Sequence, residues 1–423
     1  MTTRTITGTT ESFAASVRVP GDKSLSHRAL LFAGMAQGDS LVTGLGTGLD
    51  IATTRAALAN LGVAIDGDQV RSPGVSRWAT PHRSIDCGNS GTSMRLLAGV
   101  LATSRVSTVL IGDSSLSRRP MTRLEAPLRS LGGVIATTSG HAPIKVGGAE
   151  VVTGAGVTIE TASAQVRSAF ELGALAAKGS SSIDSPPGFR DHTERWLHAI
   201  GRGDWESDTK FRIDPGPVPP AKYDVPGDPS SAAYLWAAAA ISPGSQVVTT
   251  TISLNPGRIG FLQILDDMGA AVEVVVTNSV GGDPVGDVKV TGRTIRGVTI
   301  DGDLIASALD ELPLVAVVAA YGEGITTVRG AEELRVKESD RIIAVEQMML
   351  SLGGGISTVH DGFDIVGTGF LHGGSVETYH DHRIAMAAAV AATRASGEVE
   401  IVDSDVAFVS WPDFYESLAA LWS

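Results

Sequence analysis

Two patterns of apolar and polar positions alternate along the chain. The first is an Ala-rich apolar stretch that opens on a small, polar or proline residue and usually closes on Gly. It occurs as SLSHRALLFAGMAQG from Ser24, GTSMRLLAGVLATS from Gly91 and SAQVRSAFELGALAAKG from Ser163. It returns as PSSAAYLWAAAAISPG from Pro229, LDELPLVAVVAAYGEG from Leu309 and DHRIAMAAAVAATRASG from Asp381. Apolar residues all round such a stretch predict a buried helix, with Ser, Asp or Pro as the start signal and Gly as the stop. The second pattern is amphipathic and ends in Leu, Ile or Met followed by Gly. TTRAALANLGVAI, RLEAPLRSLGGVI, TERWLHAIG, FLQILDDMGAAVEV and VEQMMLSLGGGI carry it, with Gly62, Gly132, Gly201, Gly269 and Gly353 at the helix ends. A glycine there takes the left-handed conformation cheaply. DFYESLAALWS at the C-terminus is a sixth copy.

Between the helices lie β-branched runs such as VSTVLIGD, QVVTTTISL, VEVVVTN and GITTVRG, which predict strands. The apolar copies start about 65 to 80 residues apart, so the chain reads as six α/β units. Six units suit one ring or two lobes of three, and periodicity leaves both open. VPGDPS, from Val225 to Ser230, is a predicted linker between the third and fourth.

Composition narrows the class. Of 423 residues, 43% are hydrophobic and 19% charged, which excludes a disordered chain. The 50 glycines have no three-residue period, which excludes collagen. A net charge of −13 and 5% aromatics argue against nucleic acid as a partner. They still permit a local basic cleft for a small anion. The single Cys87 cannot form an intrachain disulfide, which fits a reducing cytosol. The N-terminal MTTRTITGTTESFAAS lacks the apolar core of a signal peptide, and no uncharged apolar run reaches the ~18 residues of a membrane span.

The polar starts of the apolar helices carry the candidate chemistry. Lys23, Ser24 and Arg28 open the first, where free N–H groups and a cation suit an anion. Asp22 stands where a P-loop would require Gly. Asn89 and Gly91, in Cys87-Gly88-Asn89-Ser90-Gly91, would let a ligand approach the backbone. Arg118-Arg119-Pro120 reads as the lead-in to another helix, with Pro in its first turn. Ser163, Ala164 and Gln165 form a helix start, and Arg190 precedes Asp191-His192. Asp310 and Glu311 read as the start of an apolar helix, where a carboxylate can serve as base or acid. Lys337 and Arg341 are four apart, so on a helix they would share a face with Glu338 nearby. Arg383 follows Asp381-His382. His380 and His382 lack the Cys cluster or H-E-x-x-H of a metal site, so no metal is expected. Cys87 has no identifiable partner as a nucleophile, and GLGTG at Gly44 is not a dinucleotide fingerprint.

PGDKSLSHRALL, GNSGTSMRLL, SRRPM, SAQVRSA, RDHTE, ELRVKESDR and DHRIAMA together resemble, in order, the motifs of the 5-enolpyruvylshikimate-3-phosphate synthase family of enolpyruvyl transferases. The resemblance runs from about residue 16 to 418. It implies an α/β, two-lobed fold, each lobe built from three βαβαββ repeats in an inside-out α/β barrel, with a cleft between the lobes. The lobes would be residues 1–20 plus 228–423 and residues 21–227, with hinge crossings near Gly21 and Gly227. The implied reaction transfers the enolpyruvyl group of phosphoenolpyruvate to the 5-hydroxyl of shikimate 3-phosphate. The product belongs to the shikimate pathway to chorismate and the aromatic amino acids.

The resemblance also implies roles. Lys23 would touch both substrates and stand with Asp310 and Glu338 among the catalytic residues. Ser24, Arg28, Ser163, Ala164, Gln165, Arg190, Asp310 and Lys337 would bind shikimate 3-phosphate. Asn89, Gly91, Arg119, Gln165, Arg341 and Arg383 would cradle phosphoenolpyruvate. Asp310 resembles the base on the 5-hydroxyl, and Glu338 the carboxyl group that protonates the methylene carbon. No cofactor is required. A cytoplasmic monomer inhibited by glyphosate is the accompanying expectation.

The chain departs from some members at Glu333-Leu334, where they carry Asn-Trp. It also lacks their Lys before the final aromatic-Pro, having Val409-Ser410-Trp411-Pro412. Its Ser163-Ala164-Gln165 resembles a second bacterial branch that often tolerates glyphosate, whereas Gly91 resembles the sensitive type. The rival reading is a UDP-N-acetylglucosamine enolpyruvyl transferase. Such enzymes usually carry a loop Cys where this chain has GDSSLSRRP, Gly112 to Pro120.

Overall fold

The computed structural model describes residues 2–423. The chain divides into two compact units. The N-terminal unit holds Gly21–Pro226 and the short segment Ser279–Asp283. The C-terminal unit holds the chain up to Pro20, Gly227–Asn278 and Pro284–Ser423. Each encloses its own hydrophobic core, the mark of a domain.

In the N-terminal unit the apolar stretches form the helices Lys23–Met35, Gly91–Ala102 and Ala164–Ala174. Each begins where a polar side chain satisfies a free N–H: Asp22 accepts from Leu25, Ser90 from Ser93 and Ser163 from Val166. Leu30, Phe32, Leu97 and Phe170 are buried from these helices. The second and third helices lie backbone against backbone. A Cβ on Gly99 would fall 2.2 Å from the Ala169 carbonyl oxygen, so only glycine fits.

Three sheets surround these helices. Each follows one plan, seen in the second: Ile85–Asp86 runs parallel to Thr108–Ile111, which pairs antiparallel with His141–Val146, and Ile135–Thr138 completes the hairpin. A parallel pair needs a crossover, and in the second and third sheets the apolar helix supplies it. The first sheet takes its parallel edge strand, Lys222–Asp224, from the far end of the unit, where Lys222 pairs with Leu41.

The C-terminal unit repeats the plan around the helices Pro229–Ala240, Leu312–Ala320 and His382–Ala392. All residues of the first two are buried, those of the second as an all-apolar helix requires. The parallel pairs are Ala14–Val17 with Gln246–Ser253, Thr299–Ile300 with Glu323–Val328, and Gly374–Glu377 with Glu398–Val402. Among the described residues the last sheet has three strands, completed by Thr3–Thr7 in place of a hairpin. Strands therefore form in all four β-branched runs named from sequence. The five terminal glycines have φ between 66° and 104°, the left-handed region expected of them.

Three local expectations are corrected. Pro120 opens no helix: Leu116–Arg118 and Thr122–Leu124 are 3-10 turns, and the α-helix begins only at Glu125. Lys337 and Arg341 do not share a helix, because Asp340 accepts from Ile342 and Ile343 and starts the helix Arg341–Ser351 after Lys337. Asp310 and Glu311 lie in a 3-10 turn, Leu309–Glu311, before the helix proper.

Candidate active site

The helix starts of the N-terminal unit are tied to one another. Gln165 donates through Nε2 to Thr92 Oγ1 at 2.9 Å and accepts from Arg95 Nη1, so its amide links the Ala164 helix to the Gly91 helix. Arg28, one turn into the Lys23 helix, donates to Ser168 Oγ at 2.8 Å, Thr193 Oγ1 at 2.7 Å and the Ser24 carbonyl at 3.0 Å. It is 3% exposed. Burial lowers its proton affinity, and Glu194 and Asp283 oppose that effect. Lys23 pairs with Asp50 on the helix Leu49–Asn60. Behind them His27 Nδ1 meets Thr54 Oγ1 at 2.7 Å, Thr54 meets Ser93 Oγ at 2.6 Å, and Ser93 donates to Ser90 Oγ at 2.8 Å. Burial pulls His27 down to about 3, so this chain runs through a neutral imidazole.

Asn89 donates through Nδ2 to Asp113 at 2.7 Å and accepts through Oδ1 from Arg119 at 2.8 Å. Gly91 lies against two guanidinium groups: a Cβ there would sit 2.9 Å from Arg95 Nη1 and 3.4 Å from Arg119 Nη1. Ser163 caps its helix, with Ala164 and Gln165 as the first two residues. Arg190 is half-buried, just ahead of the helix His192–Ala199.

Arg95 was missed as a site residue in the sequence. Burial, with Arg119 and Arg123 next, lowers it to about 10. A guanidinium whose proton affinity is lowered by burial and by neighbouring cations marks a place for an anion. The available signal was Arg95 one turn beyond Gly91, on the face that Gly91 leaves open.

The C-terminal unit gathers the acidic set. Arg341, 1% exposed, donates through Nη2 to Glu338 Oε2 at 2.6 Å, through Nη1 to Asp310 Oδ1 at 3.2 Å and through Nε to Asp381 Oδ2 at 2.8 Å. Lys337 Nζ lies 3.6 Å from Asp310 Oδ1, from its extended position ahead of the helix. Arg383 pairs with the buried Glu311 at 3.3 Å. Burial works against the charge on Arg341, but Asp381, Glu338 and Asp310 outweigh it and raise its proton affinity. Burial raises the Asp381 carboxyl; Arg341 prevails and holds it below the usual range. Asp310, Lys337, Glu338, Arg341 and Arg383 thus form one charged group, joined by Glu311, a candidate acid or base in the sequence, and by Asp381, which had no assigned role.

The other candidates are quiet. Burial pushes the Cys87 thiol up to about 12, which removes it as a nucleophile. His380 pairs with Asp403, and burial lowers His382 to about 4. Among the described residues no three His, Cys, Asp or Glu side chains group as metal ligands.

Comparison with known proteins places the chain in a family. The family model described as EPSP synthase (3-phosphoshikimate 1-carboxyvinyltransferase) matches residues 8–418. The chain is 43% identical over 411 residues to a 3-phosphoshikimate 1-carboxyvinyltransferase of Halorhodospira halophila, covering 96% of this chain and 93% of that one. It is 41% identical over 416 residues to the enzyme of the same name from Herpetosiphon aurantiacus, covering 96% of each. The EPSP synthase structure from Acinetobacter baumannii superposes with a TM-score of 0.90 at 37% identity, covering 99% of this chain and 98% of that one. With the ordered motifs, the repeated sheet plan and the match across nearly the whole length, the chain belongs to the EPSP synthase family of enolpyruvyl transferases.

Proposed function

We propose that the cationic helix starts of the N-terminal unit and the Arg341 group of the C-terminal unit divide the work of the reaction this chain catalyses. That reaction transfers the enolpyruvyl group of phosphoenolpyruvate to the 5-hydroxyl of shikimate 3-phosphate. Both substrates are polyanions that repel each other. Lys23, Arg28, Arg119, Arg190, Lys337, Arg341 and Arg383 offset that repulsion. Lys23, Ser24, Arg28, Ser163, Ala164, Gln165, Arg190, Asp310 and Lys337 hold shikimate 3-phosphate. Lys23, Asn89, Gly91, Arg119, Gln165, Arg341 and Arg383 hold phosphoenolpyruvate.

Asp310 takes the proton of the 5-hydroxyl as the oxygen attacks the enol carbon, and Glu338 protonates the methylene carbon. The resulting ketal phosphate loses phosphate as the new methyl group gives a proton back. Acid and base must therefore exchange roles between the two steps. The observation that carries this reading is Arg341: one guanidinium bonds both Asp310 and Glu338, so an anion held there lies beside both proton-transfer groups. A coupled phosphate-release assay with shikimate 3-phosphate tests it. Turnover with a UDP-sugar acceptor and none with shikimate 3-phosphate would select the rival transferase.

The crossings near Gly21 and Gly227 are proposed as the hinge. Gly91 supports inhibition by glyphosate. Activity persisting at glyphosate levels near the phosphoenolpyruvate KM would overturn that. A cytoplasmic monomer completes the reading. A buried, unbridged Cys87 supports the location, and the monomeric state rests on the family resemblance alone. Sedimentation of the purified protein checks its oligomeric state.

A further inference from the structure

We infer that Asp381 is a positioning residue that sets two arginines at once. The inference rests on the reading that Arg341 and Arg383 receive phosphoenolpyruvate. Asp381 is wholly buried. Its Oδ2 accepts from Arg341 Nε at 2.8 Å and Ser339 Oγ at 3.0 Å. Its Oδ1 accepts from Arg341 Nη2 at 3.3 Å and from the Arg383 backbone N–H at 2.9 Å. Two oxygens thus take four hydrogen bonds.

The two bonds to Arg341 form a fork along one edge of the guanidinium, and a fork fixes its plane as well as its position. The remaining nitrogen, Nη1, then points to Asp310. The bond to the Arg383 N–H is the N-cap of the helix His382–Ala392, and it fixes the backbone from which the Arg383 side chain leaves. One carboxylate therefore sets the spacing between the side chain of one arginine and the main chain of the other. Glu311 holds the Arg383 side chain separately, at 3.3 Å.

Capping and arginine alignment are separable by mutation. Ser caps a helix about as well as Asp but offers Arg341 no charged fork. Asp381→Ser and the near-isosteric Asp381→Asn are compared with the wild-type enzyme by circular dichroism and steady-state phosphate release. In either folded variant the KM for phosphoenolpyruvate is expected to rise about tenfold or more, with the KM for shikimate 3-phosphate within about twofold of wild type. A phosphoenolpyruvate KM within twofold of wild type, or an equal rise for both substrates, overturns the proposal. If neither variant folds, Ser339→Ala decides, and an unchanged phosphoenolpyruvate KM overturns it. A wild-type enzyme that does not saturate with phosphoenolpyruvate removes the underlying reading, and this inference with it.

Discussion

Arg341 donates through Nη1 to Asp310 Oδ1 at 3.2 Å, from a guanidinium that is 1% exposed. The same group holds Glu338 at 2.6 Å. Each carboxylate can therefore be altered while Arg341 keeps its other partners. Asp310→Asn and Glu338→Gln are expected to lower kcat by about 10²–10⁴, the usual worth of a proton-transfer group, with smaller changes in KM. Phosphate-release kinetics check this, and a variant with near-wild-type kcat removes that residue from the catalytic pair.

Gly91 meets the ends of two arginine side chains, where a Cβ would sit 2.9 Å from Arg95 Nη1. A flexible side chain can yield, so Gly91→Ala is expected to fold. It should raise the phosphoenolpyruvate KM several-fold and weaken glyphosate inhibition by a larger factor. Inhibition constants measured against phosphoenolpyruvate test the order of the two effects. An unchanged glyphosate constant would place the inhibitor away from Gly91.

Burial holds His27 at about 3 and His382 at about 4, against 6.5 in the unfolded chain. Below pH 6.5 the unfolded chain binds protons that the folded one refuses. The stability from keeping these rings neutral is therefore present above pH 6.5 and lost as pH falls toward 4. At 1.36 kcal/mol per unit, each ring costs about 2 kcal/mol by pH 5. Urea midpoints should fall between pH 6.5 and 5, and His27→Gln should flatten that slope. A slope unchanged by the substitution would show that His27 is not the group responsible.

Glu171 is fully buried in the N-terminal unit beside Glu194 and Arg167, whose Nε holds Glu194 at 2.6 Å. Burial first, and Glu194 next, push its carboxyl well above the usual range. An acid raised on folding stabilises fully below its unfolded value near 4.5, and that contribution is lost as pH rises from there through the folded value. Glu171→Gln mimics the protonated form. Its urea midpoint should gain on wild type as pH rises from 5 to 8. A gain that shrinks with pH contradicts the assignment.

Local pattern identified the apolar helices, and two of their caps, Ser163 and Asp381, because a helix start is decided by a few neighbouring residues. Asp22, Ser90, Ser163 and Asp381 each cap a partner two or three residues away. The same locality misled at Lys337 and Arg341, whose four-residue spacing suggested one helix face. Asp340 caps the helix between them, and the two cations reach Asp310 from different backbone conformations. Glu311 and Asp381 were legible as acidic residues near helix starts. Their pairing with Arg383 and Arg341 was not, because it depends on burial and on a partner 72 or 40 positions away.

Sequence alone determined the six-fold alternation of buried and amphipathic helices, their glycine ends and, through several ordered motifs, the family. Those are properties of neighbouring residues, set by periodicity, capping and backbone freedom. Only the tertiary structure decided that Lys222–Asp224 completes the first sheet, that Arg95 joins Arg119 around Gly91, and that one buried guanidinium serves three carboxylates. Each of these brings together charges or strands that lie far apart along the chain. Their energies arise when folding removes water from between them, and no local pattern records that.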